Sequence, residues 1–382
     1  MRRLLILGIL FGIGTHPTLR AQSTFWEKAK APLERMFGDS TTAPGEPKLI
    51  AYPTLAYAPE TRWEFGASVL YVYHANREPA NRLSELSAFT FITLERQYGL
   101  WLDHALYTPH NNWYLLGRIR AQSFPLRYHG IGTSTPAEHL AYANTNQIWI
   151  RERALRQTWP NWYMGISAEF QRLSEVEFAW EPDVTDRTIP LGGEGTTNFG
   201  IGPSLVFDNR ENVLNVRKGL YLETSGLLFR PELGSAFSFS QLYTEARFFT
   251  PVGQNMVFAT QAHGIFSQGD VPFNHLALMG GESLMRGYYL GRYRDRQMLA
   301  GQVEWRWLPF PLGFTNRLGG AVFLAAGTVA PSLPDFSNAP WQLAGGAGLR
   351  FLIFPDKDIY TRFDVGFTRE GPGYYLFIGE AF

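Results

Sequence analysis

Cysteine is absent from this chain of 382 residues, which excludes disulfides, thiol nucleophiles and cysteine-based metal sites. It also excludes a lipid anchor on an N-terminal cysteine. A charge excess of either sign is absent too, because 34 basic residues balance 34 acidic ones, and nothing indicates nucleic acid as a partner. Beyond the N-terminus, no apolar run reaches the roughly 18 residues that a transmembrane helix needs.

The N-terminus has the build of an export signal. Arg2 and Arg3 precede the apolar run LLILGILFGIG, and Ala21 ends the following THPTLRA. We therefore predict a secretory signal peptide over residues 1–21, although Leu19 stands where a small residue is usual before the cleavage site. An exported chain without a spanning helix is either a soluble protein or a transmembrane barrel.

Aromatic residues and glycine are abundant, with 11 Trp, 18 Tyr, 29 Phe and 38 Gly. Polar and apolar residues alternate in segments such as QVEWRW, IYTRFDVGF and LYTEARF. A soluble sandwich has the same period. Segments of about ten residues, with aromatic clusters at their ends, favour a membrane barrel instead. We predict an all-β fold, a 16-stranded antiparallel transmembrane β-barrel over residues 48–382.

The strand count can be tested against the connections. The sixteen predicted strands are roughly 48–57, 61–74, 84–94, 98–108, 112–124, 146–156, 161–175, 196–208, 219–230, 236–250, 255–268, 297–308, 317–329, 341–354, 359–369 and 373–382. An even number places both termini in the periplasm, and the long connections then all lie outside the cell. Residues 22–47 form a short lead-in segment, either loosely ordered or an amphipathic helix lying on the membrane.

The sixth external loop carries a motif, GGESLMRGYY, with Gly280, Gly281, Ser283, Arg286, Gly287 and Tyr288 at its fixed positions. It resembles the G-G-x-x-S-[VL]-R-G-[FY] motif of the Bam/Tam-type outer-membrane assembly barrels, the bacterial surface antigen family. RYHGIGTST, LVFDNRENVLNVRKGLYLETS, GLRFLIFPDKDIYTRFDVGF and the terminal Phe382 support the resemblance in chain order. It covers residues 48–382 and implies a location in the cell outer membrane.

The resemblance implies that the sixth loop folds into the barrel and that Arg286 pairs with acids on the inner wall. A guanidinium in a confined lumen also needs a carboxylate on physical grounds. Alternation directs Glu304 and Asp364 toward that space, so we predict both as its partners. We expect substitution of Arg292 or Arg294 to have little effect.

The thirteenth strand departs from the family pattern. Relatives often carry an aspartate there, whereas LAAGTV offers Ala325. This departure removes one acid from the expected cluster. The lumen face of the strand is small, which leaves room for an inserted loop; its residues are Gly319, Ala321, Phe323, Ala325 and Gly327.

The family's assembly factors receive clients through POTRA domains, and residues 22–47 are too short for one. The resemblance therefore implies a POTRA-less, barrel-only member. The partners it implies are outer-membrane lipids, a protein or lipid client, and a periplasmic protein that supplies the role of the missing POTRA domains. A seam between the first and last strands is predicted to be weak, because Pro53 lacks a ladder donor and Gly373 and Gly379 soften the last strand. The alternative is that these are ordinary strand-end residues.

Three functions are weighed on the sequence. Assistance with insertion or translocation of a client follows from the resemblance, and a passive or gated pore is the alternative, since sixteen strands can enclose a channel. An enzyme is disfavoured, because the eight histidines are scattered and no G-x-S-x-G or H-E-x-x-H occurs. Ser283, near His275, is explained better by the loop motif. We predict no catalysis, no metal site and no cofactor.

Overall fold

The computed structural model describes residues 46–382 apart from 212–214, 311, 314 and 356–357. The predicted signal peptide, and the lead-in segment up to residue 45, lie outside the described residues. Sixteen long strands follow one another: β1 Lys48–Ala58, β2 Arg62–His74, β3 Leu83–Thr93, β4 Tyr98–Tyr107, β5 Trp113–Ser123, β6 Ala141–Trp159, β7 Trp162–Trp180, β8 Thr196–Asp208, β9 Gly219–Phe229, β10 Phe239–Pro251, β11 Met256–Gly269, β12 Gln297–Trp307, β13 Leu318–Ala330, β14 Gln342–Phe354, β15 Ile359–Thr368 and β16 Gly371–Ile378.

Each strand pairs antiparallel with the next, and β16 returns to β1, so the sheet closes into a barrel. This confirms the predicted sixteen-stranded antiparallel fold. Alternation produces the two faces of the wall: on β14, Leu343 and Leu349 are exposed outside while Arg350 is buried inside. A wall with an aliphatic and aromatic outer face and a polar inner face is typical of membrane barrels.

The four longest connections, 124–140, 181–195, 270–296 and 331–341, all follow odd-numbered strands and lie at one end of the barrel, as predicted. We call this the long-loop end and the opposite one the short-turn end. The third and sixth connections at the long-loop end are loop three (124–140) and loop six (270–296). Loop six contains a small hairpin in which Ala277–Met279 pairs with Tyr293–Asp295.

The other elements are minor. A short strand in loop three, Leu126–Tyr128, pairs with β6. The described part of the chain contains five 3₁₀ turns, at Ala75–Arg77, Pro109–Asn111, Pro231–Leu233, Phe273–His275 and Pro334–Ser337. Within the described ranges, none of the helices is long and apolar enough to cross a membrane.

Three predicted strands differ from those observed by more than three residues at one end, and one of them, β7, continues to Trp180 instead of ending at residue 175. β6 begins at Ala141 rather than at residue 146, because a register shift at Asn144/Asn146 lets the ladder continue past the point where alternation breaks. The last strand ends at Ile378 instead of reaching Phe382. Gly379 adopts a left-handed φ of 91° and turns the chain away from the ladder.

The seam between β1 and β16 is weakly paired. These strands share one pair of facing residues, Tyr57 and Leu376. By comparison, β1 faces β2 at eleven positions and β16 faces β15 at eight. The barrel is therefore closed by its least extensive ladder at the place where the chain's first and last strands meet.

Candidate functional site

Loop six lies against the inner wall of β12–β14. Its side chains Met279, Met285, Tyr288 and Tyr293 are fully buried and form one cluster with Ala325 of β13 and neighbouring wall residues. The small face of β13 makes this possible: a Cβ added to Gly327 would come within 2.7 Å of the Met279 sulfur. Where the family often has an aspartate, Ala325 thus packs against the loop.

Arg286 is completely buried at the tip of the loop. Its Nη1 donates a hydrogen bond to Asp364 on β15 at 2.6 Å, and its Nη2 donates to Glu304 on β12. The guanidinium stacks over the Phe323 ring, 3.6 Å from the ring centroid. The structure thus brings Arg286 together with the two carboxylates that the sequence singled out.

The cluster is larger than the sequence indicated. Its further members are Arg306, Arg350, Arg362 and Glu380: Arg306 donates to Glu304 at 2.7 Å, Arg350 to Asp364 at 2.5 Å and to Glu380 at 2.9 Å, and Arg362 to Asp364 at 2.8 Å. Arg306 and Arg362 share the polar strand faces of Glu304 and Asp364, and Arg350 lies on the inward face of β14 opposite Arg362, so alternation could have found all three. Glu380 lies beyond the last strand and gave no such signal.

Four guanidinium groups and three carboxylates therefore share this buried volume. Burying an isolated charge costs several kcal/mol, and the cost falls only when the charges pair and their hydrogen bonds are satisfied. The cluster joins β12, β14 and β15 to loop six and to the C-terminal segment. Its chemistry is suited to holding these elements together.

Two wall glycines bring the loop backbone close to the last two strands. A Cβ on Gly366 of β15 would lie 2.8 Å from the amide nitrogen of Gly287, and one on Gly373 of β16 would lie 2.9 Å from the Gly287 Cα. Gly287, at a φ of 114°, donates its N–H to the Tyr375 hydroxyl on β16 at 2.8 Å. Gly373, which the sequence related to seam flexibility, has a packing role under the loop.

The opposite side of the seam also contacts loop six. Glu60, in the turn between β1 and β2, accepts a hydrogen bond from the Leu290 N–H at 2.6 Å. The pKa of Glu60 is raised to about 8. Burial is the larger cause, and the neighbouring carboxylate of Glu282 adds to it. Loop six therefore contacts β16 and the β1–β2 turn, the two sides of the seam.

Arg292 and Arg294 do not fit the expectation that their substitution matters little. Both are buried. Arg292 donates to both carboxylate oxygens of Glu370, at 2.7 and 2.9 Å, and to Thr135 of loop three. Arg294 donates to a loop-three carbonyl, and burial lowers its pKa to about 10. These arginines connect loop six to its neighbours.

The remaining candidates have separate places. Gly280 and Gly281 adopt left-handed φ values of 123° and 104° at the base of the loop tip. Pro53 lies in the middle of β1, opposite Ala67 of β2. The Ser283 carbonyl accepts a hydrogen bond from Gln302. His275 packs against the stacked rings of Phe229 and Phe239, 5.0 Å from each ring centroid.

The chain end lies at the short-turn end of the lumen. Glu380 binds Arg350, and the carbonyl of Phe382 accepts a hydrogen bond from Arg306 at 3.1 Å. The Phe382 ring packs against Phe249 of β10. The terminal segment thus crosses from β16 to the wall formed by β10–β12.

The other half of the lumen is not filled by loop six. It contains two cavities of about 620 and 570 Å³, which share part of their lining, including Arg118, Arg120 and Trp101. The larger lies next to loop six and the β1–β2 turn, and the smaller is lined by β3–β11 and by residues 274–278 of loop six. This half of the barrel is polar and charged.

A scan of protein-family models matches the Omp85 superfamily domain over residues 116–352. Three similar solved structures are BamA from Haemophilus ducreyi lacking POTRA domains 1–3 (15% identity, 94% of this chain, 78% of that chain, TM-score 0.54), CdiB from Acinetobacter baumannii (10%, 87%, 59%, 0.53) and CdiB from Escherichia coli (11%, 93%, 70%, 0.57). At these identities the likeness is one of fold. No curated protein sequence matches the chain.

The matched residues run from β5 to β14, include the loop-six motif and make up more than half of the chain. The chain belongs to the Omp85 superfamily.

Proposed function

We propose that this barrel resides in the cell outer membrane and assists the insertion or translocation of a protein or lipid client. The observation that carries the proposal is the single facing pair at the seam, Tyr57 with Leu376. Each net hydrogen bond contributes roughly 0.5–1.5 kcal/mol. A ladder this short costs far less to open than its neighbours, so the seam offers a client lateral access to the lipid.

Loop six supports the proposal because it spans the seam. Tyr375 on β16 holds the Gly287 N–H, and Glu60 beside β1 holds the Leu290 N–H. Withdrawal of the loop tip would release both sides together. In this proposal loop six holds the two sides of the seam together, and the Arg286 cluster fixes the loop in that position.

A disulfide across the seam tests the role of opening. The antiparallel register set by Tyr57 and Leu376 places Ala56 opposite Phe377. Because the chain has no cysteine, the Ala56→Cys/Phe377→Cys variant can form only this bond within one copy. A matched control is Ala246→Cys/Ala262→Cys, which joins facing alanines in the fully paired β10–β11 ladder.

The readout is the protease-protected fraction of a urea-unfolded, eight-stranded outer-membrane barrel added to liposomes that contain each variant. The oxidised seam variant is expected to lose assistance and to regain it on reduction, whereas the control keeps assistance in both states. Equal assistance by the oxidised and reduced seam variants would contradict the proposal for this class of client.

A gated pore is a second candidate, favoured by the two cavities in the half of the lumen that loop six leaves open. A pore conducts through the lumen and does not need the seam, so the seam disulfide would leave its current unchanged. The two candidates therefore separate on the same variant.

The proposed location has its own test. The full chain is expected in the outer-membrane fraction, and a chain lacking residues 1–21 is expected in the cytoplasm. We further propose that a separate periplasmic protein takes the role of POTRA domains, which crosslinking from the short-turn end would detect.

A further inference from the structure

An ionisable pair lies on the outer surface of the barrel. The Nε2 of His104 on β4 is 3.1 Å from Oε2 of Glu152 on β6. Both point outward, because the residues that flank Glu152 in sequence, Arg151 and Arg153, bind Glu223 inside the lumen. The two side chains meet over β5, where Gly117 faces each of them in the ladders.

Gly117 is what allows this contact. A Cβ at this position would overlap the Glu152 carboxylate and the His104 ring. Two residues on strands that are not neighbours can therefore pair only because the intervening strand has no side chain here. The contact is built into the wall rather than made by flexible surface groups.

The surroundings of the pair are apolar. The outward residues on either side of it along the three strands are Leu102, Leu106, Leu115, Ile119, Ile150 and Ala154. Exposed Trp113 and Trp159 mark the short-turn ends of β5 and β6, where aromatic girdles lie in membrane barrels. The pair thus lies between the girdle and the barrel middle, in the band that faces hydrocarbon.

A lipid-facing charge is costly, and ionisable groups at membrane depth normally pair or serve a function. The Glu152 side chain remains 40% exposed and that of His104 17%. Their mutual contact therefore leaves carboxylate surface directed away from the barrel. An occupant that brings both a donor and an acceptor would satisfy the pair.

We propose that this patch, His104–Gly117–Glu152, is the contact surface of a homodimer. A pair with one hydrogen-bond donor and one acceptor is complementary to its own two-fold image. Two copies inserted in the same orientation are related by a two-fold axis along the membrane normal. At the interface this rotation exchanges left and right and leaves the depth in the membrane unchanged. Each His104 then faces Glu152 of the second copy. Their contacting atoms differ in depth by no more than the 3.1 Å between them, so the reciprocal contacts fall at one level.

A small residue beside the pair permits the approach. Ala154 lies two residues from Glu152 along β6 on the same outward face and is exposed, whereas the space over Gly117 is filled by the pair itself. Close packing of small residues around a polar contact is a recurrent way to associate in membranes. The inference rests on the proposed membrane location, since the patch faces lipid only there.

Cysteine crosslinking in native membranes tests it. Ala154→Cys gives each copy one thiol beside the proposed axis, because the chain has no other. Ala262→Cys is the control, an exposed outward alanine on β11. Oxidation is expected to give a disulfide-linked band of twice the chain mass with Ala154→Cys and to leave Ala262→Cys monomeric.

The contact between His104 of one copy and Glu152 of the other is tested in the Ala154→Cys background. Glu152→Gln and His104→Gln are each expected to lower the dimer fraction at least about fivefold. Co-expression of the two with different tags is expected to restore dimers between unlike copies, because one His104–Glu152 contact is re-formed there. Retained heat-modifiable migration on gels shows that each variant still forms a barrel.

The possible outcomes distinguish a failure of the homodimer from a failure of the proposed membrane location. A chain absent from the outer-membrane fraction would overturn the proposed location and the homodimer together. A chain present there that crosslinks equally from Ala262→Cys, remains monomeric from Ala154→Cys, or crosslinks to a chain of another mass would overturn the homodimer alone.

Discussion

At the residue scale, Arg286 joins strands that do not touch each other. Its two carboxylate partners lie on β12 and β15, with β13 and β14 between them. The planar guanidinium presents donors in fixed directions, so it can bind two carboxylates at once, which a lysine ammonium does with less geometric definition. The stacking on Phe323 adds a further contact that depends on the planar group.

Arg286→Ala is expected to loosen loop six and lower the melting temperature. Removing one partner from a buried ion pair costs about 3–5 kcal/mol. Here the loss is smaller than for an isolated pair, because three other arginines remain near the acids. Glu304→Gln is expected to cause part of the same defect, and the double variant should be less than additive. Circular dichroism melts in detergent measure this, with exposed Arg187→Ala as the control.

Full additivity of the two substitutions, or a melting temperature equal to that of Arg187→Ala, would show that the cluster does not hold the loop. Limited proteolysis provides a second measure. Cleavage within 280–292 is expected to accelerate in Arg286→Ala, while the barrel strands stay protected.

Glu60 predicts a dependence on pH. Burial is the chief cause that raises its pKa in the folded chain to about 8, from an ordinary value of 4.5. The contribution of the protonated group to stability is therefore complete below about pH 4.5 and is lost as pH rises toward 8. Protection of loop six from protease should fall over this window. Glu60→Gln should remove the dependence, and Glu95→Gln, at an exposed turn of the same end, should keep it.

Sequence reasoning could find Glu304 and Asp364 because strand alternation and the loop motif act over short stretches. It could not find Glu60 or Glu380. Glu60 meets Leu290 across 230 positions of sequence, and no local pattern marks such a contact. Likewise, the burial of Arg292 and Arg294 follows from the approach of loop three and Glu370, which only the closed barrel brings about.

At the element scale, loop six is held by the shape of the wall as well as by charge. The tip backbone lies against Gly366 and Gly373, where any side chain would collide. The strand count and the sidedness of the loops were predictable, since they follow from period and length. The true end of β16 was not, because the turn at Gly379 competes with a ladder that its sequence would otherwise continue.

Gly366→Ala is expected to displace the loop tip while the barrel still forms. The added methyl meets backbone atoms of Arg286 and Gly287, which cannot move aside as a side chain can, and such overpacking costs about 1–3 kcal/mol. Gly226→Ala on β9 is the matched control, because a Cβ there meets nothing within 4 Å. Faster proteolysis of loop six in Gly366→Ala alone is the expected result. Equal protection in both variants would contradict the docking.

At the scale of the whole molecule, the lumen has two unequal halves. Loop six and the arginine cluster occupy the half beneath β12–β16, while the half lined by β3–β11 contains cavities. The division follows from the side chains of β13, which are small enough to admit a loop, whereas β3–β11 present arginine, glutamate and tyrosine inward.

Deleting residues 280–292 is expected to enlarge the single-channel conductance in planar bilayers and make it steadier. The intact chain should show small or flickering currents, since the loop narrows the lumen. Deletion of 182–188, in another connection of the long-loop end, serves as the control and should leave the current unchanged. Large, steady currents from the intact chain would show that loop six does not obstruct the lumen.

The inward turn of the C-terminus has a consequence for the order of events during folding. Phe382 rests on Phe249 of β10, and its carbonyl on Arg306 of β12. These contacts do not exist until the middle of the chain has formed its wall. The chain end can therefore dock only once β10 and β12 have formed their part of the wall. A sequence fused behind Phe382 would begin inside the lumen, so a C-terminal reporter would interfere with this docking.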